Sequence, residues 1–124
     1  MSKKYRLNNN VFNYEANPLF TREYASNIVL FNTYSTAQTN TTLWTPATGK
    51  RIYLTAVEAA SLAAITVSLK RAGSQTFLSI VLTATFTTFG ESFSSPVKFA
   101  ANEAISLTTS ASGTMYITLI GYEV

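Results

Sequence analysis

The side chains that could do acid–base work in this chain are six carboxylates: Glu15, Glu23, Glu58, Glu91, Glu103 and Glu123. There is no histidine and no cysteine, and because all six acids are glutamate there is no aspartate either. A Ser–His–Asp or Cys–His relay therefore cannot be assembled. Most zinc and iron sites, which draw on His, Cys or Asp, are equally unavailable. Hydrolysis by a pair of glutamates is the acid–base chemistry that remains, but no two of the six share a motif. Gly49-Lys50 has neither the upstream glycine nor the following Ser/Thr of a phosphate loop, and a strand pattern follows it instead of a helix. The expectation is no enzyme, no catalytic residue, no metal and no cofactor.

Trp44 and Tyr53 could stack on a sugar ring, although a lone tryptophan in a β-rich chain more often belongs to the core. The net charge is +3, and beyond Lys3, Lys4 and Arg6 the basic residues cluster only as Lys50-Arg51 and Lys70-Arg71. A nucleic-acid binder would gather its cations on one face, so no nucleic-acid partner is expected. No apolar run approaches the roughly 18 residues that span a bilayer, and no membrane partner is expected. Met1-Ser2-Lys3-Lys4 is basic, but no apolar segment follows it, so export by a signal peptide is not expected. Asn40-Thr41-Thr42 fits the glycosylation acceptor pattern, and without a secretion signal that fit is coincidental.

The elements that would carry any site are strands. With 47% hydrophobic and 12% charged residues the chain can bury a core, and 124 residues suit one domain. Ile65, Val67 and Leu69 alternate with Thr66, Ser68 and Lys70, and Ile105 and Leu107 alternate with Ser106 and Thr108. Such segments are cut by Pro46, Gly49, Ala72-Gly73-Ser74, Ala101-Asn102-Glu103 and 110–113. About eight strands result, near 26–33, 41–45, 51–59, 64–71, 75–85, 92–100, 104–109 and 114–123. In 51–59, Ile52, Leu54 and Ala56 would share one face, with Tyr53, Thr55 and Val57 on the other. Phe77 and Val81 would stand opposite Leu78, Ile80 and Leu82, so that strand reads as covered on both sides. The last strand is apolar on both faces, with Tyr116 and Tyr122 on one side; it is either central in its sheet or at a subunit interface. The fold class is all-β: an antiparallel, jelly-roll-like β-sandwich whose strand order the turns leave open. Ile65, Val67, Leu69, Ile80, Leu82, Ile105, Leu107, Ile117 and Leu119 form the expected core.

The start of the chain is different. Residues 1–36 hold seven of the sixteen aromatics, no glycine and no sustained period. A flexible linker has the opposite composition. Residues 1–25 therefore read as an extended N-terminal arm lying on another surface, the alternative being that they fold back on their own sandwich; residues 26–124 read as the sandwich domain. Tyr5, Phe12, Tyr14, Phe20 and Tyr24 of the arm, with Tyr116 and Tyr122 of the last strand, are the candidate assembly contacts.

The run Thr45-Pro46-Ala47-Thr48-Gly49-Lys50-Arg51-Ile52-Tyr53-Leu54, the compact β domain after it and the terminal Gly121-Tyr122-Glu123 resemble small structural proteins of tailed bacteriophages. The resemblance covers roughly residues 43–124 and is carried by turn and strand residues. It implies a β-sandwich or jelly-roll trimer working as a capsid decoration protein, head fibre or tail-tip part. It assigns no binding residues. The expected function is that of a non-enzymatic virion structural protein, a decoration or stabilising protein acting through oligomerisation and its arm. The alternative is a carbohydrate- or receptor-binding module of a head or tail fibre. The expected partners are further copies of the chain, a trimer being favoured, and other virion proteins such as a major capsid protein; in the alternative the partner is a glycan receptor. The expected location is the virion, assembled in the host cytoplasm.

Overall fold

The structure, a computed structural model, describes residues 26–124. Among these residues eight strands follow one another: β1 (Ile28–Tyr34), β2 (Thr41–Trp44), β3 (Ile52–Ser61), β4 (Ile65–Arg71), β5 (Gln75–Leu82), β6 (Thr88–Lys98), β7 (Ile105–Thr109) and β8 (Met115–Glu123). They form two four-stranded sheets, ordered β1-β8-β3-β6 and β2-β7-β4-β5. All their pairings are antiparallel. The chain changes sheet at every connection except the β4–β5 hairpin, which is the path of a jelly roll. The all-β sandwich expected from the sequence is present, and its strand order is now defined.

The alternating apolar residues of both sheets meet in one core. All nine expected core residues are buried, together with Trp44, Ile52, Leu54, Val57, Phe99 and Met115. The doubly apolar last strand is central, since β8 lies between β1 and β3.

Bulges in β3 and β5 correct the simple alternation; further register shifts lie between Thr42 and Trp44 of β2 and at 93–96 of β6. In β3, Leu54 pairs with Gly121 and Ala56 with Ile120, so Thr55 is an extra residue. Its hydroxyl donates to the Ile120 carbonyl at 2.9 Å, which accommodates the irregular step. The phase then flips: Val57 and Ala59 face the core, and Ala56 does not join Ile52 and Leu54. In β5, Leu78 pairs with Leu69 and Thr76 with Lys70, so Phe77 is the extra residue. The bulge turns Phe77 inward, edge-on to buried Phe99 at 5.2 Å, while Val81 stays exposed. That strand is covered on one side only. The segment 87–95 is also more regular than its Ser/Thr content suggests. Most of it belongs to β6, whose Phe89 and Phe93 pack on the core edge.

Side chains lock the end of the sandwich where β8 finishes. Glu123 accepts from the Trp44 indole at 2.8 Å and from the Ala47 N–H at 3.1 Å. Asn102 accepts from the Gly49 N–H at 2.6 Å. Glu103 pairs with Arg71 at 3.2 Å and accepts from the Ala100 N–H at 2.7 Å, while the Arg71 guanidinium lies 4.6 Å over the Phe99 ring. The Arg71 hydrogen bond is the main cause holding the Glu103 carboxyl below its ordinary value.

Candidate assembly face

The two outer faces of the sandwich differ in chemistry. Opposite the core side of β8 stand Tyr116, Thr118, Ile120 and Tyr122. Register places Thr33, Phe31 and Val29 of β1 beside the first three. On the other side come Ala60, Glu58, Ala56 and Tyr53 of β3, and beyond them Thr88, Gly90, Ser92 and Lys98 of β6. This face is aromatic and aliphatic towards β1 and β8 and small-residue towards β3 and β6. Within the four strands its only charges are Glu58 and Lys98; Arg51, one step before β3 and paired with Val124, adds a cation at the Lys98 end. By contrast, the outer face of β2-β7-β4-β5 carries Thr42, Ser106, Thr108, Thr66, Ser68 and Ser79, with Lys70 and Val81.

Stacking builds the apolar face. Phe31 lies on Tyr116 with ring centroids 6.2 Å apart and planes at 15°. Tyr53 lies on Tyr122 at 5.2 Å and 4°. Both pairs are offset stacks of the kind that aromatic quadrupoles favour. Phe31 is 62% exposed and Val29 61%, a large apolar area for a surface to leave in water. An open depression of about 440 Å³ lies beside the first stack, lined by Phe31, Tyr116, Glu58, Ala60, Thr88 and Gly90 among others. Ala60 and Gly90 are its floor because neither side chain fills it.

Tyr116 and Tyr122 do share a face, each completing a stack. Tyr5, Phe12, Tyr14, Phe20 and Tyr24 lie outside the described residues. Trp44 is 3% exposed and bonded to Glu123, while Tyr53 stands on the outer face, so the two do not form a sugar platform. Glu103 and Glu123 are committed to Arg71 and Trp44. Glu91 is opposite inward Val57 and Glu58 opposite Gly90, so these two do not converge on one site. Sequence reading missed Val29, Phe31 and the Ala60–Gly90 floor. The signal for the first two is present: the unbroken apolar run Ile28-Val29-Leu30-Phe31 must turn two residues outward in any strand.

No protein-family model matches the chain, and no curated protein does. Among solved structures, it is similar to a chain in the acidic stable capsid structure of Helicobacter pylori bacteriophage KHP30, at 9% identity and a TM-score of 0.57. That match covers 81% of this chain and 94% of the other. At that identity the likeness is one of fold: this chain and a chain of that capsid share one β-sandwich plan.

Proposed function

We propose that this protein is a non-enzymatic structural component of a bacteriophage virion, a decoration or stabilising protein bound to other virion proteins such as a major capsid protein. The observation that carries the reading is the apolar face of β1-β8-β3-β6, set on a sandwich that also occurs in a phage capsid structure. A face that leaves Phe31 and Val29 in water suits a protein whose working state is packed among neighbours. That the match spans nearly all of the other chain supports a role for a small, single-sandwich protein. The mechanism is mass action: a protein that binds only the assembled shell stabilises it, and several weak sites per oligomer multiply through effective concentration. The oligomer is a homo-oligomer, a trimer being the state the resemblance implies. Residues 1–25 serve as the arm that ties it to the shell. They lead into β1, the edge strand of the apolar face.

The test is particle attachment. Purified protein added to particles that lack it is expected to co-sediment with them and to raise their heat stability. Deleting residues 1–24 is expected to weaken attachment while leaving the thermal midpoint of the isolated protein nearly unchanged. Full-length protein that never associates with particles would overturn the virion role; a deletion that unfolds the domain would overturn the arm.

A further inference from the structure

We infer that the outer face of β1-β8-β3-β6 docks a second copy of this chain in a two-fold pair, an inference that rests on the self-association in the proposed function. Two-fold contacts are self-complementary: what one copy offers at one end, its partner must accept at the other. The charge pattern of this face meets that requirement. Glu58 stands towards one end, beside Gly90 and Thr118; Lys98 stands towards the other, beside Tyr53, with Arg51 just beyond it. A two-fold axis across the strands, along the row Val29, Ile120, Ala56 and Ser92, brings each copy's Glu58 to the partner's cationic end.

The shapes agree with the charges. In the axis row Ala56 and Ser92 are small beside Val29 and Ile120, and β6 departs from the flat ladder just past Ser92, where residues 93–96 lie opposite Thr55. The same rotation carries the Tyr53–Tyr122 stack of one copy towards the depression over Ala60 and Gly90 of the other. Four strands about 4.8 Å apart and about seven residues deep give a face of about 450 Å², or about 900 Å² over two copies, at the low end of specific interfaces. The pair is therefore weak in dilute solution. A trimer built through other surfaces would still display these faces, which would join one assembly to the next.

The test uses the full chain without particles, so its failure leaves the virion role standing. Sedimentation of the wild type is expected to show concentration-dependent pairing with a Kd between about 1 μM and about 1 mM. Glu58→Lys and Lys98→Glu, both at exposed positions, are each expected to weaken pairing by at least about tenfold, because like charges then meet. The double variant is expected to return to within about threefold of the wild type. Zero-length carbodiimide coupling of mixed isotope-labelled and unlabelled protein is expected to link Glu58 of one copy to Lys98 of another. Within one copy these residues lie about 14 Å apart along the strands, beyond the reach of that chemistry. The inference is overturned by a chain that, whether monomer or trimer, shows no further concentration-dependent pairing up to about 1 mM, by single and double variants that pair alike, or by Glu58 coupling to Lys3 or Lys4 of its own chain, which would make the N-terminal segment the occupant.

Discussion

The indole Nε1 of Trp44 donates a 2.8 Å hydrogen bond to Oε2 of Glu123, joining strands β2 and β8 across 79 positions of sequence. Glu123→Ala would leave the buried indole N–H without its acceptor and cut the tie to Ala47. The expected cost is about 1–3 kcal/mol in urea unfolding. Trp44 emission in the wild type is expected to be blue-shifted and unchanged by added mono- or oligosaccharides. Quenching by a sugar would restore the stacking role that the geometry denies it.

Truncation in the core tests the assignment of strand faces. Leu69 and Ile117 are 0% and 1% exposed and belong to different sheets. Leu69→Ala and Ile117→Ala are each expected to cost about 2–5 kcal/mol, measured as shifts in denaturant midpoint at constant slope.

Glu103 gives the fold an acid-sensitive joint. Its carboxyl is held below its ordinary value of 4.5, chiefly by the Arg71 hydrogen bond. A depressed carboxyl contributes stability that is complete above the unfolded-state value and disappears as pH falls through the folded-state value. Thermal midpoints are therefore expected to drop below about pH 4.5, and Glu103→Gln to remove part of that drop while lowering the neutral-pH midpoint. A variant whose acid profile matches the wild type would show that Arg71 and Glu103 are not coupled in solution.

Two backbone positions have opposite expectations. A Cβ at Gly121 would fall on the Tyr53 carbonyl oxygen where the bulged β3 crosses it, so Gly121→Ala is expected to destabilise by about 1–3 kcal/mol. Ala72 takes φ 51 next to Gly73 at φ 77 in the β4–β5 turn. Asparagine tolerates that conformation better, and Ala72→Asn is expected to stabilise by up to about 1 kcal/mol. Calorimetry of both variants checks the pair.

Regular alternation made much of the fold legible. Ile65, Val67 and Leu69, or Ile105 and Leu107, can face inward in only one way once they are strands. Thr55 and Phe77 were illegible for a physical reason: a bulge is set by the partner strand, Gly121 opposite Leu54 and Leu69 opposite Leu78, and one strand's own period carries no trace of it. Strand order likewise depends on pairings such as Ile28 with Gly121, which no turn residue encodes. The candidate site was half visible. Tyr116 and Tyr122 share a side by spacing alone. Their stacking partners Phe31 and Tyr53, and the opposed positions of Glu58 and Lys98, exist only once four distant segments lie side by side.

The central place of β8 also imposes a timetable. Among the described residues every ladder partner of β1 lies in β8, so Ile28 waits for Gly121, roughly ninety positions later, before it can make those pairs. A chain made from its N-terminus can close the β4–β5 hairpin at once. It must meanwhile carry Ile28-Val29-Leu30-Phe31 as an orphan strand through most of its own synthesis. That tetrapeptide is uncharged and apolar throughout, the composition that seeds strand-to-strand aggregation. Soluble yield should therefore respond to growth temperature and holding chaperones more than to mutations that alter equilibrium stability, and a charge at Val29 or Phe31 should raise yield even where it weakens the finished surface.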